Sequence, residues 1–162
     1  EKLCGMADSD HEIQTVPHGA YIAEVEVDPE TGHVALVALT AADDLGRRVN
    51  PMIAEGQIHG GLAQAIGQAM FERTIFDPDT GQLLSGSFMD YQLPRAGDLP
   101  NFDLHDVDIP TDNNILGMKG VGENASIGGP AAVINAIADA LGTQDIDMPM
   151  TPERVWRALN SL

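Results

Sequence analysis

Residues 56–71 read GQIHGGLAQAIGQAMF, a stretch with no formal charge beyond what His59 carries. A helix that shows one face to water normally places charged residues on it. At about 100° per residue, Ile58, Leu62, Ala65, Ile66 and Ala69 cluster on one side as a core stripe. The other side carries Gln57, Gly60, Gly61, Gln64, Gly67 and Gln68. Each interior glycine costs about 1 kcal/mol relative to alanine, so Gly56, Gly60, Gly61 and Gly67 together forgo roughly 4 kcal/mol of helix propensity. Something therefore approaches this backbone closely and takes amide hydrogen bonds rather than charge. Close packing against another backbone meets that description. So does a bulky polar ligand whose edges the glutamine amides satisfy, and the pattern alone leaves both open.

Outward from this stretch the chain alternates hairpins with helices. Asn50-Pro51 supplies an N-cap and a proline at the first helical position, which predicts a helix to about Glu72. Gly129-Pro130 predicts a second helix ending at Gly142, and Thr151-Pro152 a third with Val155, Trp156 and Leu159 on its apolar face. Upstream, Tyr21, Ala23, Val25 and Val27 alternate with Glu24 and Glu26, as a half-buried strand does. Asp28-Pro29-Glu30-Thr31-Gly32 turns the chain, and Val34 to Leu39 returns as a more buried strand. The same turn recurs as Asp77-Pro78-Asp79-Thr80-Gly81, between residues 74–76 and 82–84. Its flanks do not otherwise match, so it reads as a reused turn and not a duplicated domain. Residues 86–94 and 102–109 are weaker strand expectations. The pattern predicts an α+β fold, an antiparallel or mixed sheet with hairpins packed against three helices on one side.

The chain of 162 residues suits one domain. Residues 1–17, poor in large apolar side chains, read as an N-terminal tail or linker, and 18–162 as the domain. Eight basic against 25 acidic residues give a net charge of -17, which repels nucleic acid and anionic membrane surfaces. No apolar run has spanning length and no signal segment opens the chain, so the expectation is a soluble, cytoplasmic protein. Cys4 is alone, and His11, His18, His33, His59 and His105 never fall at metal-ligand spacing. No protein-held metal is expected, and any redox centre comes from elsewhere.

Residues 117–130, GMKGVGENASIGGP, hold a single carboxylate, Glu123, in a glycine-rich loop ahead of an apolar segment. The spacing fits neither a P-loop nor a dinucleotide-binding fingerprint. Backbone N–H groups near a helix start favour the ionised form of Glu123, while Val121 and Ile127 oppose it in a dry site. A lone carboxylate so placed is a candidate general base. The plainer alternative is a carboxylate that caps loop N–H groups.

The segments QIHGGLAQAIGQAMFE (57–72), LSGSFMDYQLPRA (84–96), GMKGVGEN (117–124) with IGGPAAVINAIADAL (127–141), and IDMPMTPERVWRAL (146–159) carry a family likeness. In this order they resemble the C-terminal part of the molybdopterin-binding large subunit of the xanthine dehydrogenase family, with the aerobic carbon monoxide dehydrogenase branch nearest. The likeness runs from about His18 to the C-terminus. It implies a molybdenum hydroxylase in which Glu123 is the catalytic base and Gln64 contacts the pterin. The backbone of Lys119, Gly120, Val121 and Gly122 would lie beside the cofactor, a molybdopterin, as its cytosine dinucleotide, with the metal on the pterin dithiolene. Electrons would leave through iron–sulfur clusters and FAD on partner subunits of an oligomer acting on a small molecule. The rest of the large subunit would complete the site, since family members are several times longer. A non-catalytic accessory or scaffold module of the same fold is the competing expectation. Arg47 and Arg48 are expected to pair with Asp43 and Asp44, with a cofactor phosphate as the other option.

Overall fold

A computed structural model describes residues 4–7 and 14–160. His11 and much of the expected 1–17 tail lie outside the described residues.

Strand β1 (His18–Val27) and strand β2 (Val34–Asp44) form the expected antiparallel hairpin. Tyr21, Ala23, Val25 and Val27 are half-buried, and Ile22, Glu24 and Glu26 face outward. The turn closes on Asp28. Its side chain accepts from the Glu30 N–H at 2.9 Å and the Thr31 hydroxyl at 2.6 Å, while its carbonyl accepts from Gly32 N–H at 2.8 Å. Gly32 takes φ 73°, a left-handed conformation that a Cβ would strain.

A register shift between Glu24 and Val25 leaves Val37 without a partner across the hairpin, a β-bulge on β2. Its effect is to change which residues face the core. Val34 and Leu36 are buried before the bulge, and Leu39, Ala41 and Asp43 after it. Strand β3 (Phe102–Asp106) pairs parallel to β2 from Leu39↔Phe102 to Asp43↔Asp106, which completes a mixed sheet in the order β1-β2-β3.

The strand expected over 86–94 does not form. Ser87 and Asp90 compete for the backbone there: the Ser87 carbonyl accepts from Asp90 and Tyr91 N–H groups, and the Ser87 hydroxyl donates to Asp90 Oδ2 at 2.7 Å. The second turn, Asp77-Pro78-Asp79-Thr80-Gly81, repeats the geometry of the first, with Gly81 at φ 71° and its N–H donating to the Asp77 carbonyl at 2.9 Å. Only a single bridge, Phe76↔Leu83, flanks it.

Helix α1 (Pro51–Ile66) starts as expected, with Asn50 Oδ1 accepting from Ile53 N–H at 3.2 Å, and runs into a π-helical turn at Gly67–Phe71. Helix α2 (Asn124–Leu141) corrects the expected start at Pro130. It begins six residues earlier and carries Pro130 inside, ending at Gly142 in the left-handed conformation. Packing overrides the proline penalty of about 3 kcal/mol, because the first turns of α2 sit directly on α1. A Cβ at Gly61 would stand 2.9 Å from Ala125 Cβ, and one at Gly129 2.7 Å from Ala65 Cβ. The small pairs Gly61/Ala65 and Ala125/Gly129 meet in the same order, so the two helices run parallel with their backbones in close approach. Helix α3 (Pro152–Leu159) buries Val155.

Leu39 of the sheet, Leu62 and Ile66 of α1, Val133 and Ile137 of α2 and Val155 of α3 are all fully buried. The core thus lies on one face of the sheet. Ile22 and Val37, 67% and 55% exposed, lie on the other.

Candidate functional site

The loop that ends at Glu123 is fastened at its start. Met118 bridges Gly46, Lys119 N–H donates to the Leu45 carbonyl at 2.9 Å, and Asn114 Oδ1 accepts from Met118 N–H at 3.1 Å. The Lys119 side chain turns inward and donates to Asp44 Oδ2 at 2.5 Å. Asp44 Oδ1 also accepts from Gly46 and Ile109 N–H groups. Burial pushes the Asp44 carboxyl up, but Lys119 and these two N–H groups outweigh it and hold the group below its ordinary range. Lys119 therefore offers only its backbone to anything beside the loop.

Past this anchor Gly120, Gly122 and Glu123 are exposed, with Val121 half-buried between them. Glu123 occupies the N-cap position of α2, yet its side chain makes no capping hydrogen bond. Among the described residues its carboxylate has no hydrogen-bond or ion-pair partner. The capping explanation of Glu123 thus does not describe this loop.

The glycine and glutamine face of α1 and the π-helical turn that continues it divides in two. Gly61 and Gly67 are buried: Gly61 meets α2, and a Cβ at Gly67 would collide with the Glu72 carboxylate, which accepts from the Tyr91 hydroxyl at 2.5 Å. These two glycines answer to close packing. Gly56 and Gly60 are exposed, and a Cβ on either would meet nothing within 4 Å. Gln57, Gln64 and Gln68 are exposed beside them, and their amides have no partner among the described residues. A Cβ on Gly122 would stand 3.8 Å from Gln57 Oε1, so the loop reaches the N-terminal end of this stripe. Gln64 lies seven residues further on, about 10 Å along the axis at 1.5 Å per residue.

Arg48 does not pair with Asp43 or Asp44. It reaches Asp106 and Asp108, with Nε 3.2 Å from Asp108 Oδ1. The parallel addition of β3, which the sequence pattern does not specify, brings those carboxylates beside it. Its hydrogen bond to Asp108, with the charges of Asp106 and Asp108, raises the guanidinium pKa further, outweighing the loss of a water shell, which lowers it. Arg47 is exposed; its backbone N–H donates to the Gly117 carbonyl at 2.8 Å, and its side chain has no partner among the described residues. An apolar cleft of about 220 Å³, with Leu45, Val49, Ile53, Met118 and Val121 in its lining, separates the entry of α1 from the loop.

Sequence reasoning missed a buried polar cluster under Glu123. The Tyr21 hydroxyl donates to Asp43 Oδ1 at 2.5 Å, and Asn124 Nδ2 donates to the same oxygen. Burial foremost pushes Asp43 up, the nearby Asp106 adds to that, and Tyr21 opposes it. Tyr21 in turn is raised by burial and by its bond to Asp43. The only signal in the sequence was the acidic pair closing an apolar strand, and without the bulge its facing could not be read. No group of three or more His, Cys, Asp or Glu able to hold a metal occurs among the described residues. No helix among them is long and apolar enough to cross a membrane.

Residues 3–100 match the family model described as a molybdopterin cofactor-binding domain. The chain is 40% identical over 148 residues to the nicotine 6-hydroxylase large subunit of Paenarthrobacter nicotinovorans, covering 90% of this chain and 18% of that protein. Over 149 residues it is also 40% identical to the carbon monoxide dehydrogenase large chain of Hydrogenophaga pseudoflava, again covering 90% and 18%. Among solved structures, the Cu,Mo-CO dehydrogenase in its carbon monoxide reduced state superposes with TM-score 0.85 at 38% identity, over 90% of this chain and 18% of that one. The aldehyde oxidoreductase from Desulfovibrio gigas does so with TM-score 0.80 at 34% identity, over 89% and 15%. The chain spans less than a fifth of the length of each.

Proposed function

The chain belongs to the molybdopterin cofactor-binding domain family, and from that premise we propose that it supplies the catalytic glutamate and part of the cofactor wall of a molybdenum hydroxylase. The observation that carries this reading is Glu123, an exposed carboxylate with no partner among the described residues, set at the start of α2 beside the open stripe of α1. A group that neither caps its helix nor pairs with a cation is free for chemistry.

The residues present fit a large polar cofactor. Gly56, Gly60 and Gly120 leave open space where side chains would stand, and Gln57 and Gln64 hold amides on that surface. Gln64 binds the pterin through its amide, which both donates and accepts. The main chain from Lys119 to Gly122 lies along the cofactor, with Lys119 itself committed to Asp44. When bound, the group supplies the two-electron redox chemistry of hydroxylation. Glu123 removes the proton of the attacking hydroxyl at its Oε atoms, and such base catalysis contributes about 10²–10⁴-fold. The half-buried Val121 and exposed Ile127 flank the carboxylate and limit water once a partner surface covers them.

The rest of a large subunit completes the site, and the cofactor is the cytosine dinucleotide form. Iron–sulfur and FAD subunits carry the electrons onward, and the substrate is a small molecule. In the assembled enzyme, E123Q is expected to keep its molybdenum and lose turnover by at least about 100-fold. Normal turnover in that variant would remove Glu123 from the role of base. An assembled complex without molybdenum would leave the non-catalytic module as the better reading.

A further inference from the structure

Asp43 is 1% exposed, and the bulge in β2 is what turns it toward the core. Its Oδ1 accepts from Tyr21 and Asn124, while Oδ2 is buried with no hydrogen-bond partner among the described residues. An unpaired buried carboxyl oxygen is costly, so stability alone gives no reason for this residue. The surroundings are nevertheless shaped for it. Gly19 of β1 leaves room where a Cβ would run into Asp43 Oδ1, and the Tyr21 ring lies where a Cβ on Gly128 of α2 would be. Asp106 of β3 faces Asp43 across the sheet and is neutralised by Arg48.

The cluster meets α2 at Asn124, the residue that follows Glu123, and at Gly128, both in its first turns. Asn124 is buried and Glu123 exposed, so the two side chains leave the backbone in different directions. Holding one of them sets the rotation of the turn that carries the other. The opposite side of that turn rests on α1 through Ala125 against Gly61, and its own bonds are few: Asn124 N–H donates to the Val121 carbonyl at a long 3.3 Å, and the Glu123 carbonyl accepts from Ile127 N–H at 3.2 Å and from the Ser126 hydroxyl at 2.9 Å.

We propose that Asp43 is a positioning residue for Glu123, which it orients by gripping Asn124 from beneath the first turn of α2. The inference rests on the reading of Glu123 as the base. It extends the site inward by two residues that touch no ligand.

The test uses the assembled enzyme and four readouts: kcat, KM, molybdenum content, and backbone hydrogen exchange over residues 121–127. N124A and D43L are expected to lower kcat about 10- to 100-fold, the scale of a small misplacement, with KM and metal content unchanged and faster exchange over 121–127. D43N keeps an acceptor oxygen for Asn124 and should restore most of kcat. In an E123Q background N124A should add no further loss, because a base that is absent cannot be misplaced. Full activity in N124A, or a loss that multiplies completely with that of E123Q, overturns the proposal. Because N124A leaves Asp43 its bond to Tyr21, the test survives if D43L fails to fold. Normal turnover in E123Q would instead strike the base assignment itself, and unchanged exchange in N124A would independently sink the anchoring.

Discussion

Lys119 Nζ lies 2.5 Å from Asp44 Oδ2, and the two side chains are only 11% and 10% exposed. The pair ties the loop that leads to Glu123 to the end of β2. Removing one partner of an enclosed pair leaves an uncompensated charge, so K119M is expected to destabilise the chain by about 3 kcal/mol in denaturant unfolding. The K119M/D44N double variant should lose less than the sum of the single losses, since neither charge is then stranded.

Asp43 and Asp44 are neighbours with opposite pH signatures. Asp44 is held below its unfolded value of 3.8, so its stabilising contribution is present above 3.8 and fades as pH falls through its folded pKa. Asp43 is pushed above 3.8, so its contribution is complete below 3.8 and is lost as pH rises through its folded pKa. Denaturation midpoints followed across this range should show D43N declining less than the parent as pH rises. K119M, which lacks the cation that depresses Asp44, should show a shallower fall on the acid side.

Gly60 and Gly61 are adjacent in α1 and should respond oppositely to alanine. Nothing lies within 4 Å of a Cβ on Gly60, so G60A should stabilise the isolated chain by up to about 1 kcal/mol. A Cβ on Gly61 meets Ala125 Cβ at 2.9 Å and Ser126 N at 3.3 Å, so G61A should cost about 1–3 kcal/mol through overpacking. In the assembled enzyme the order is expected to reverse in part, with G60A lowering molybdenum content by intruding on the cofactor face.

The two Asp-Pro-x-Thr-Gly turns offer a matched comparison. Gly32 and Gly81 have φ 73° and 71°, so alanine at either should cost roughly 1–2 kcal/mol in backbone strain. Gly32 is also covered by α3, where a Cβ would stand 2.8 Å from Trp156 N, whereas nothing lies within 4 Å at Gly81. G32A should therefore lower the melting temperature more than G81A.

Local chemistry made much of this fold legible. The Asp28 turn, the Asn50 cap and the Gly142 terminus are each specified by a few neighbouring residues whose hydrogen bonds close on themselves. The core stripe of α1 was equally plain, because its periodicity is a property of one segment. The strand expected at 86–94 failed on equally local grounds, a Ser87 and Asp90 turn that the residue types permitted but did not announce. Of the site, the unpaired carboxylate and the glutamine stripe stood out as oddities of composition, and the family likeness supplied their expected roles.

The sequence on its own was sufficient for the elements whose energetics are local, and for the membership of the chain in a cofactor-binding family. Long-range contact set the rest. The bulge at Val37 turned Asp43 inward, β3 joined in parallel and drew Arg48 to Asp106 and Asp108, and α2 began at Asn124 despite Pro130. In each case burial against a distant segment outweighed a nearby preference, which no window of the sequence contains. That is also why Glu123 was visible as a residue while the buried pair beneath it was not.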